Sequence, residues 1–140
     1  ETMRRKPNTD MYTNKHSVFL IQYHVVLVTK YRNKILSGKI KEFIYENIKE
    51  TLEMKDCNLL EMNGEEDHIH LLVETPPELS PAELVKVLKI RSARFTRKEY
   101  PEEVKKYYWK DVFWADGYFV STVSERTTEK IRNYIQNQKH

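Results

Sequence analysis

The sequence predicts a ferredoxin-like α+β domain, in which helices cover one face of an antiparallel sheet. Strand-like and helix-like segments follow one another in the order βαββαβ, and one further helix ends the chain. The 140 residues are enough for one domain with a substantial core and too few for two. The single cysteine, Cys57, excludes an intrachain disulfide, which suits an intracellular protein.

Charge and hydropathy narrow the class of protein further. The 24 Lys and Arg residues face 21 Asp and Glu residues, and a net charge of +3 does not by itself indicate a nucleic-acid partner. No apolar run is long enough to cross a membrane and no signal peptide is visible, so we expect a cytoplasmic protein without a membrane partner. Residues 1–16 predict a flexible basic arm, and residues 17–140 predict a single domain.

The first strand is predicted over residues 17–29. Its alternate residues are apolar on both faces, which indicates a central strand that is covered at least partly on both sides. His24 lies within it, and we interpret His24 as a structural histidine, with a role in lining a site as the alternative. Lys30 and Arg32 follow in a basic loop that also contains Tyr31, and we expect both to contact nucleic acid.

The first helix is predicted from Gly38 to Lys55, after Ser37 as its N-cap. Its apolar residues recur at helical spacing and predict a face that packs on a sheet: Ile40, Phe43, Ile44, Ile48 and Leu52. A second strand is predicted over residues 57–62. Asn63 and Gly64 then indicate a hairpin turn, in a loop that Glu65, Glu66 and Asp67 lengthen.

The third strand carries the pair His68 and His70. Side chains alternate along a strand, so the two histidines share one face, about 6.5–7 Å apart along the chain. The residues between and after them are apolar and face a core: Ile69, Leu71 and Val73. Two imidazoles on such a strand indicate a metal site, because neutral imidazole is a common metal ligand. The alternative is a half-exposed strand whose histidines face water.

The second long helix begins with a capping box, in which Ser80 is the N-cap, Pro81 the first helical residue and Glu83 its partner. It ends at Tyr100-Pro101. Six basic residues form the densest positive patch of the sequence: Lys86, Lys89, Arg91, Arg94, Arg97 and Lys98. Arg91, Arg94 and Lys98 share one face, and we interpret them as contacts to phosphates rather than as an ordinary solvated surface.

Two strands are predicted over residues 112–114 and 118–123, around a turn at Asp116-Gly117. Their aromatic residues pack in a core or stack on bases. A last helix is predicted to begin at Thr127 or Thr128 and to continue to Gln138. Tyr134 and Gln138 are four residues apart and share a face of it. Ile131 and Ile135 are its only apolar contact, which predicts a weakly held element.

Five segments occur together in a characteristic order: Tyr23-His24 with residues 29–32, residues 67–73, residues 88–94, Trp114 with residues 118–120, and residues 134–138. Together they resemble the small single-tyrosine HUH transposases (TnpA) of the IS-two-hundred/IS-six-hundred-five insertion sequences, where HUH means His-hydrophobic-His. The resemblance extends from Ser17 to Gln138. Ile90 stands where many relatives have glycine, which affects the basic helix and not the chemistry.

The resemblance implies a function and a set of site residues. His68 and His70 would be metal ligands for Mg2+ or Mn2+, Gln138 the third ligand and Tyr134 the nucleophile. The substrate would be single-stranded DNA with hairpins at the element ends, cut through a covalent 5′-phosphotyrosine and then rejoined. The protein would act as a homodimer near the nucleoid of a prokaryotic cell, with Tyr134 of one chain beside the histidines of the other.

Other functions remain open at this point. A single-strand nucleic-acid-binding domain without catalysis would use the same fold and basic helix. A metal-dependent nuclease that uses water would form no covalent adduct with DNA. A domesticated relative would cut repeat hairpins without transposing. Formation of a covalent protein–DNA adduct separates the first two from the transposase.

Overall fold

A computed structural model of the chain describes residues 20–123 and 127–138. The predicted basic arm, residues 1–16, lies outside the described residues, as do the first three residues of the predicted first strand. The elements are β1 Ile21–Val28, a 3-10 turn Lys30–Arg32, α1 Gly38–Met54, β2 Asn58–Glu65, β3 His68–Thr75, α2 Pro81–Glu99, α3 Pro101–Lys105, β4 Phe119–Thr122 and α4 Thr127–Gln136. Among these helices, none combines the length and apolarity that a membrane crossing requires.

The four strands form one antiparallel sheet in the order β2-β3-β1-β4. This is the strand order of the ferredoxin-like fold, and the predicted fold class is confirmed. β1 is a central strand, as its sequence predicts: its last four residues are all buried although they alternate between faces. The register pairs Val26 of β1 with His70 of β3 and with Phe119 of β4.

One face of the sheet packs against α1 and α2. The third strand supplies Ile69, Leu71 and Val73 to this core, and each is fully buried. The helices supply a matching stripe that is also buried: Ile44, Ile48 and Leu52 of α1, and Leu84, Val85 and Leu88 of α2. The predicted helix starts are correct, and the backbone N–H of Glu83 donates to the Oγ of Ser80 at 3.1 Å.

The hairpin between β2 and β3 turns later than the sequence predicts. Asn63 and Gly64 are strand residues that pair with His70 and Ile69, and the turn is formed by Glu66 and Asp67. A Cβ at Gly64 would overlap the carbonyl oxygen of His68 and lie 2.9 Å from the Cα of Ile69. The glycine therefore permits two strands to approach closely, which is the other common reason for glycine in a strand.

The segment before β4 also differs from the prediction. Residues 112–114 do not form a strand but make one isolated bridge, between Thr29 and Trp114. Trp114 is held instead through its ring, whose Nε1 donates to the Oγ of Ser92 at 2.9 Å, and Phe113 packs beside it in the core. Aromatic burial rather than strand pairing explains the apolar sequence here.

The second face of the sheet is partly covered by α4. Ile131 is buried there against three residues of the same chain: Val26, Val28 and Ala115. Tyr134 and Ile135 pack against this cluster together with Phe119. The sequence predicts Ile131 and Ile135 as the small apolar contact of this helix, and both residues belong to the cluster, to which Ala115 and Phe119 add apolar surface.

Candidate functional site

His68 and His70 lie on the second face of the sheet, opposite the core, as the alternation along β3 predicts. Both are half-buried, whereas Ile69 between them is completely buried. The neighbouring strand β2 pairs Glu65 with His68 and Asn63 with His70. The two imidazoles are thus fixed by the register of a central strand.

The ring of His68 is held by Asp67. Its Nδ1 lies 2.9 Å from Oδ1 of Asp67, and Nε of Arg32 donates to Oδ2 of the same carboxylate at 2.9 Å. Burial alone would raise the pKa of Asp67, but the hydrogen bonds and charges of His68 and Arg32 outweigh burial and lower it. Asp67 is therefore an anion that fixes which nitrogen of His68 carries the proton.

Arg32 reaches Asp67 from a strained turn. Tyr31 and Arg32 have positive φ angles of 61° and 55°, which non-glycine residues rarely adopt. The turn is tied to the hairpin by Thr29, whose N–H donates to the carbonyl of Asp67 at 3.0 Å while its carbonyl accepts from the N–H of Arg32 at 2.9 Å. Such local strain is maintained only where surrounding contacts fix it, and it is concentrated at functional sites.

The ring of His70 contacts a third histidine, His24 of β1. Nδ1 of His24 lies 2.8 Å from Nε2 of His70, and the two rings stack with centroids 5.0 Å apart. Burial lowers the pKa of both imidazoles, and the charge of Glu61 opposes this effect. The alternative interpretation of His24, as a residue that lines the site, is the one that this contact supports.

A cleft of about 320 Å³ lies between His68 and α4. Its lining combines the imidazole with polar side chains from three elements: Arg32, Glu65, Arg132 and Gln136, beside Ile131 and Ile135. The potential ligand atoms of Glu65, Asp67 and His68 all lie within 4.8 Å of one another. Since Nδ1 of His68 is engaged by Asp67, its Nε2 remains for an ion, and nitrogen and oxygen donors of this kind fit a divalent cation.

Among the described residues, no hydrogen bond joins Tyr134 or Gln138 to His68 or His70, although Tyr134 packs on the same face of the sheet. The ring of Tyr134 packs on Phe119 of β4 with centroids 5.6 Å apart, and burial raises the pKa of its hydroxyl. Gln136 lines the cleft beside His68, and Gln138 does not. Residues two apart in a helix project about 200° apart, so the Tyr134 face and the Gln136 face of α4 are opposed.

The predicted DNA-binding residues lie in two places. Arg91, Arg94 and Lys98 are on α2, in the helix layer on the side of the sheet opposite His68. Arg94 and Lys98 are exposed, whereas Arg91 donates to Thr51 at 2.8 Å and pairs with Glu50 at 3.3 Å. Lys89 is turned inward, where its Nζ donates to the carbonyl of Ala115 at 2.8 Å.

Lys30 and Arg32 lie instead in the turn that follows β1, where Arg32 lines the cleft beside His68. Lys30 pairs with Asp116 at 3.5 Å, across an exposed surface. Arg32 makes the hydrogen bond to Asp67 described above. Sequence reasoning assigned both residues to DNA, gave His24 a role in lining the site only as the alternative, and missed the roles of Asp67, Glu65 and Gln136. Asp67 directly precedes His-x-His in the sequence, and this position was the one sequence feature that could have indicated a role for Asp67 at the site.

The chain is thus an α+β protein with a candidate metal centre. The second face of its ferredoxin-like sheet carries the paired imidazoles and the helix that bears Tyr134. The family model described as "Transposase IS200 like" matches residues 17–138. The chain belongs to this IS200-like transposase family, and it is a DNA-processing enzyme of DNA transposition that binds DNA.

Relatives from two genera cover nearly the whole chain. It is 30% identical over 129 residues to the ISDra2 transposase TnpA of Deinococcus radiodurans, which covers 92% of this chain and 91% of that protein. It is 32% identical over 123 residues to the transposase for insertion sequence element IS200 of Salmonella typhimurium, covering 88% of this chain and 80% of that protein.

Solved structures agree with the fold. A crystal structure of a candidate transposase from D. radiodurans superposes with a TM-score of 0.81 at 30% identity, covering 88% of this chain and 94% of that one. A REP-associated tyrosine transposase bound to a REP hairpin superposes with a TM-score of 0.57 at 8% identity, covering 82% of this chain and 62% of that one. The second likeness concerns the fold alone.

Proposed function

We propose that this transposase cleaves and rejoins single-stranded DNA at insertion-sequence ends through a covalent bond to Tyr134, with Mg2+ or Mn2+ held by His68 and His70. One observation carries the proposal. The half-buried imidazoles, one of them fixed by Asp67, share a sheet face with the helix that bears Tyr134. The resemblance between this chain and the transposases of known insertion sequences supports the same reaction.

The residues of the chain prepare a binding place for the cation. His68 offers Nε2, because its Nδ1 is engaged by Asp67, and Glu65 and Gln136 add oxygen donors at the cleft. Gln138 is the third ligand that the resemblance implies. A bound divalent cation offsets the negative charge of the scissile phosphate and orients it. The imidazole and amide ligands are neutral and would leave the charge of the cation undiminished for the substrate, whereas the carboxylate of Glu65 would offset part of it.

Tyr134 supplies the nucleophile. Its oxygen attacks the phosphorus, the bond to the 3′ oxygen breaks, and the products are a 5′-phosphotyrosine and a free 3′-OH. The phenol loses one proton and the 3′ oxygen gains one. The bond energy stays in the phosphodiester, so a 3′-OH can reverse the step and rejoin strands without ATP.

The docked position of α4 represents a resting arrangement in this proposal. Tyr134 packs on β4 and His70 lies on β3, with β1 between them. Tyr134 also packs against the cluster that contains Val26 of β1, the strand between β4 and β3. Burial also raises the pKa of Tyr134, which disfavours loss of its proton there. We therefore expect Tyr134 to leave this packing for cleavage, either by a shift of α4 or through the α4 of a second chain.

We assign the DNA contacts to two surfaces. Arg32 lines the cleft, where the scissile strand would pass, and Lys30 lies two residues before it in the same turn. Arg94 and Lys98 are exposed on α2, on the other side of the sheet, and would hold a hairpin stem through its phosphates. Arg91 joins them with a partly structural role, because Thr51, Glu50 and the ring of Phe95 already contact its side chain.

The decisive experiment is a search for the covalent intermediate. The protein is incubated with single-stranded element ends that carry hairpins, with Mg2+ or Mn2+, and products are separated on denaturing gels. We expect a protein–DNA adduct with the wild type and none with Tyr134→Phe, which retains the ring on Phe119. Tyr118→Phe, which changes an exposed tyrosine before β4, is the matched control and should give a normal yield. A normal adduct with Tyr134→Phe would refute the assignment.

A further inference from the structure

The contact between His24 and His70 has a chemical consequence for metal binding. His24 pairs with Leu72 in the register of β1 and β3, two residues beyond His70, so the two histidines are diagonal neighbours on one sheet face. Nδ1 of His24 and Nε2 of His70 are 2.8 Å apart, which is a hydrogen-bond distance between ring nitrogens. One of these nitrogens must donate and the other must accept.

Only one arrangement of protons lets His70 keep this contact and bind a cation. A neutral imidazole has one N–H and one nitrogen lone pair. If Nε2 of His70 accepts from His24, the lone pair of His70 is used and its Nδ1 carries the proton, so no nitrogen is left for a metal. If Nε2 of His70 donates to Nδ1 of His24, Nδ1 of His70 retains its lone pair.

We propose that His24 is a positioning residue that holds His70 in this second arrangement, with the proton of His70 on Nε2 and the proton of His24 on Nε2. Asp67 has the corresponding role for His68. Its carboxylate lies 2.9 Å from Nδ1 of His68 and holds the proton of that ring on Nδ1. The two ligands then have opposite tautomers: His68 binds through Nε2 and His70 through Nδ1. The inference rests on the proposed metal site and adds His24 to it.

Partners of this kind influence metal affinity even though they do not touch the ion. Loss of such a partner typically lowers metal affinity about 10–100-fold, because the ligand ring then samples other orientations and tautomers. His24 lies on the central strand of the sheet, so its backbone is fixed on both sides by β3 and β4. It is therefore a rigid support for His70.

Metal affinity of the protein without DNA tests the role of His24. Mn2+ binding is measured by calorimetry or electron paramagnetic resonance for the wild type, His24→Phe and His24→Gln. We expect the phenylalanine, which has no acceptor, to weaken Mn2+ binding about 10–100-fold. We expect the glutamine, whose amide oxygen can accept from Nε2–H, to restore most of the affinity. Ser121→Ala changes the residue that pairs with His24 on β4 and should leave the affinity unchanged.

The tautomers themselves give a second measurement, which needs no variant of His24. Nitrogen-15 NMR of the metal-free wild type distinguishes protonated from unprotonated ring nitrogens, and His68→Ala and His70→Ala assign the signals. We expect the proton of His70 on Nε2 and that of His68 on Nδ1. A proton on Nδ1 of His70, or unchanged Mn2+ affinity in a folded His24→Phe variant, would overturn the role of His24. Unchanged affinity in His70→Ala would instead refute the metal site of the proposed function.

Discussion

Asp67 accepts a hydrogen bond from Nε of Arg32 at 2.9 Å, on the carboxylate oxygen that His68 does not use. The carboxylate thereby links the strained turn after β1 to the first histidine of the site. Its side chain is only 9% exposed, whereas that of Arg32 is 27% exposed. Removal of either partner would leave a buried charge without its counterpart, which costs more than the intact pair contributes.

Asp67→Asn should lower both stability and metal affinity. We expect a loss of about 2–3 kcal/mol in the free energy of unfolding near pH 7, because a buried charged hydrogen bond is lost. The pKa of Asp67 is lowered in the folded protein, so its stabilising effect is present above the unfolded pKa and is lost as the pH falls through the folded one. Denaturant titrations should therefore show the difference between wild type and variant shrinking below about pH 4. A constant difference down to pH 2 would contradict this account.

The sequence predicted much of the fold because its local signals agree with its burial pattern. The alternation in β3 and the helical spacing of Ile44 and Ile48 follow from which side chains face the core, and this pattern is visible within each segment alone. Gly64 gave a misleading turn signal, because the sequence cannot distinguish a glycine that turns from one that lets strands approach. The residues 112–114 read as a strand because apolar aromatic side chains are common both in strands and in packed loops.

The site was predicted only in part, for a different reason. His68 and His70 are two residues apart in the sequence, so their shared face follows from the two-residue period of a strand. Asp67 and Arg32 are 35 residues apart and meet through the register of β1 and β3. His24 meets His70 in the same way, across 46 residues. Contacts between distant segments depend on strand order and register, which no local pattern contains.

Docking of α4 depends on Ile131, which is buried on the second face of the sheet. Ile131→Ala should weaken docking by about 1–2 kcal/mol, because a buried aliphatic side chain is shortened at the edge of a cluster. Hydrogen exchange measured by mass spectrometry should then become about tenfold faster in α4 and stay unchanged in β1 and β3. Asn133→Ala, at an exposed position of the same helix, is the control. Equal protection of α4 in both variants would show that docking does not rest on Ile131.

Two glutamines of the last helix compete for the role of third ligand. Gln136 lines the cleft beside His68 in the docked arrangement, whereas the resemblance to transposases assigns the role to Gln138. If α4 shifts for cleavage, Gln138→Ala should reduce adduct formation and change the preference between Mg2+ and Mn2+, and Gln136→Ala should have little effect. The ratio of adduct yields in the two metals measures this. The reverse result would show that the docked arrangement is the active one.

The exposed cations of α2 should contribute to DNA affinity without affecting the chemical step. Arg94→Ala and Lys98→Ala should each weaken hairpin binding and reduce the slope of affinity against salt by roughly 0.7–0.9, since each removed phosphate contact releases one fewer counterion. Lys49→Ala on α1, whose side chain pairs with Glu46, is the matched control. Filter binding at several salt concentrations gives the slopes. Unchanged slopes in both variants would place the hairpin on another surface.

Arg91→Ala should behave differently from these two variants. Its guanidinium donates to Thr51 of α1 at 2.8 Å and stacks over Phe95, so its loss should lower thermal stability as well as DNA binding. A melting temperature equal to that of Arg94→Ala would show that the tether between α1 and α2 is unimportant.

The last prediction concerns which chain supplies Tyr134. The docked α4 packs the ring of Tyr134 on Phe119 of its own chain, and the resemblance implies that a second chain in a symmetric dimer supplies the nucleophile. A His68→Ala chain retains Tyr134, and a Tyr134→Phe chain retains both histidines; each alone should form no adduct. When the two are mixed under conditions of subunit exchange, a heterodimer with shared sites has one intact site and one doubly altered site, so adduct formation should return.

The opposite arrangement gives an opposite result in the same mixture. If each chain uses its own Tyr134 after α4 shifts, every site contains one defect and no adduct forms. Native mass spectrometry confirms that heterodimers are present, and hairpin binding confirms that they are folded, so a negative result is informative. The His68→Ala chain should carry the adduct in the shared arrangement, and a size difference between the two chains makes this visible on the gel. Heterodimers that bind DNA without adduct would show that α4 moves within its own chain to bring Tyr134 to His68 and His70.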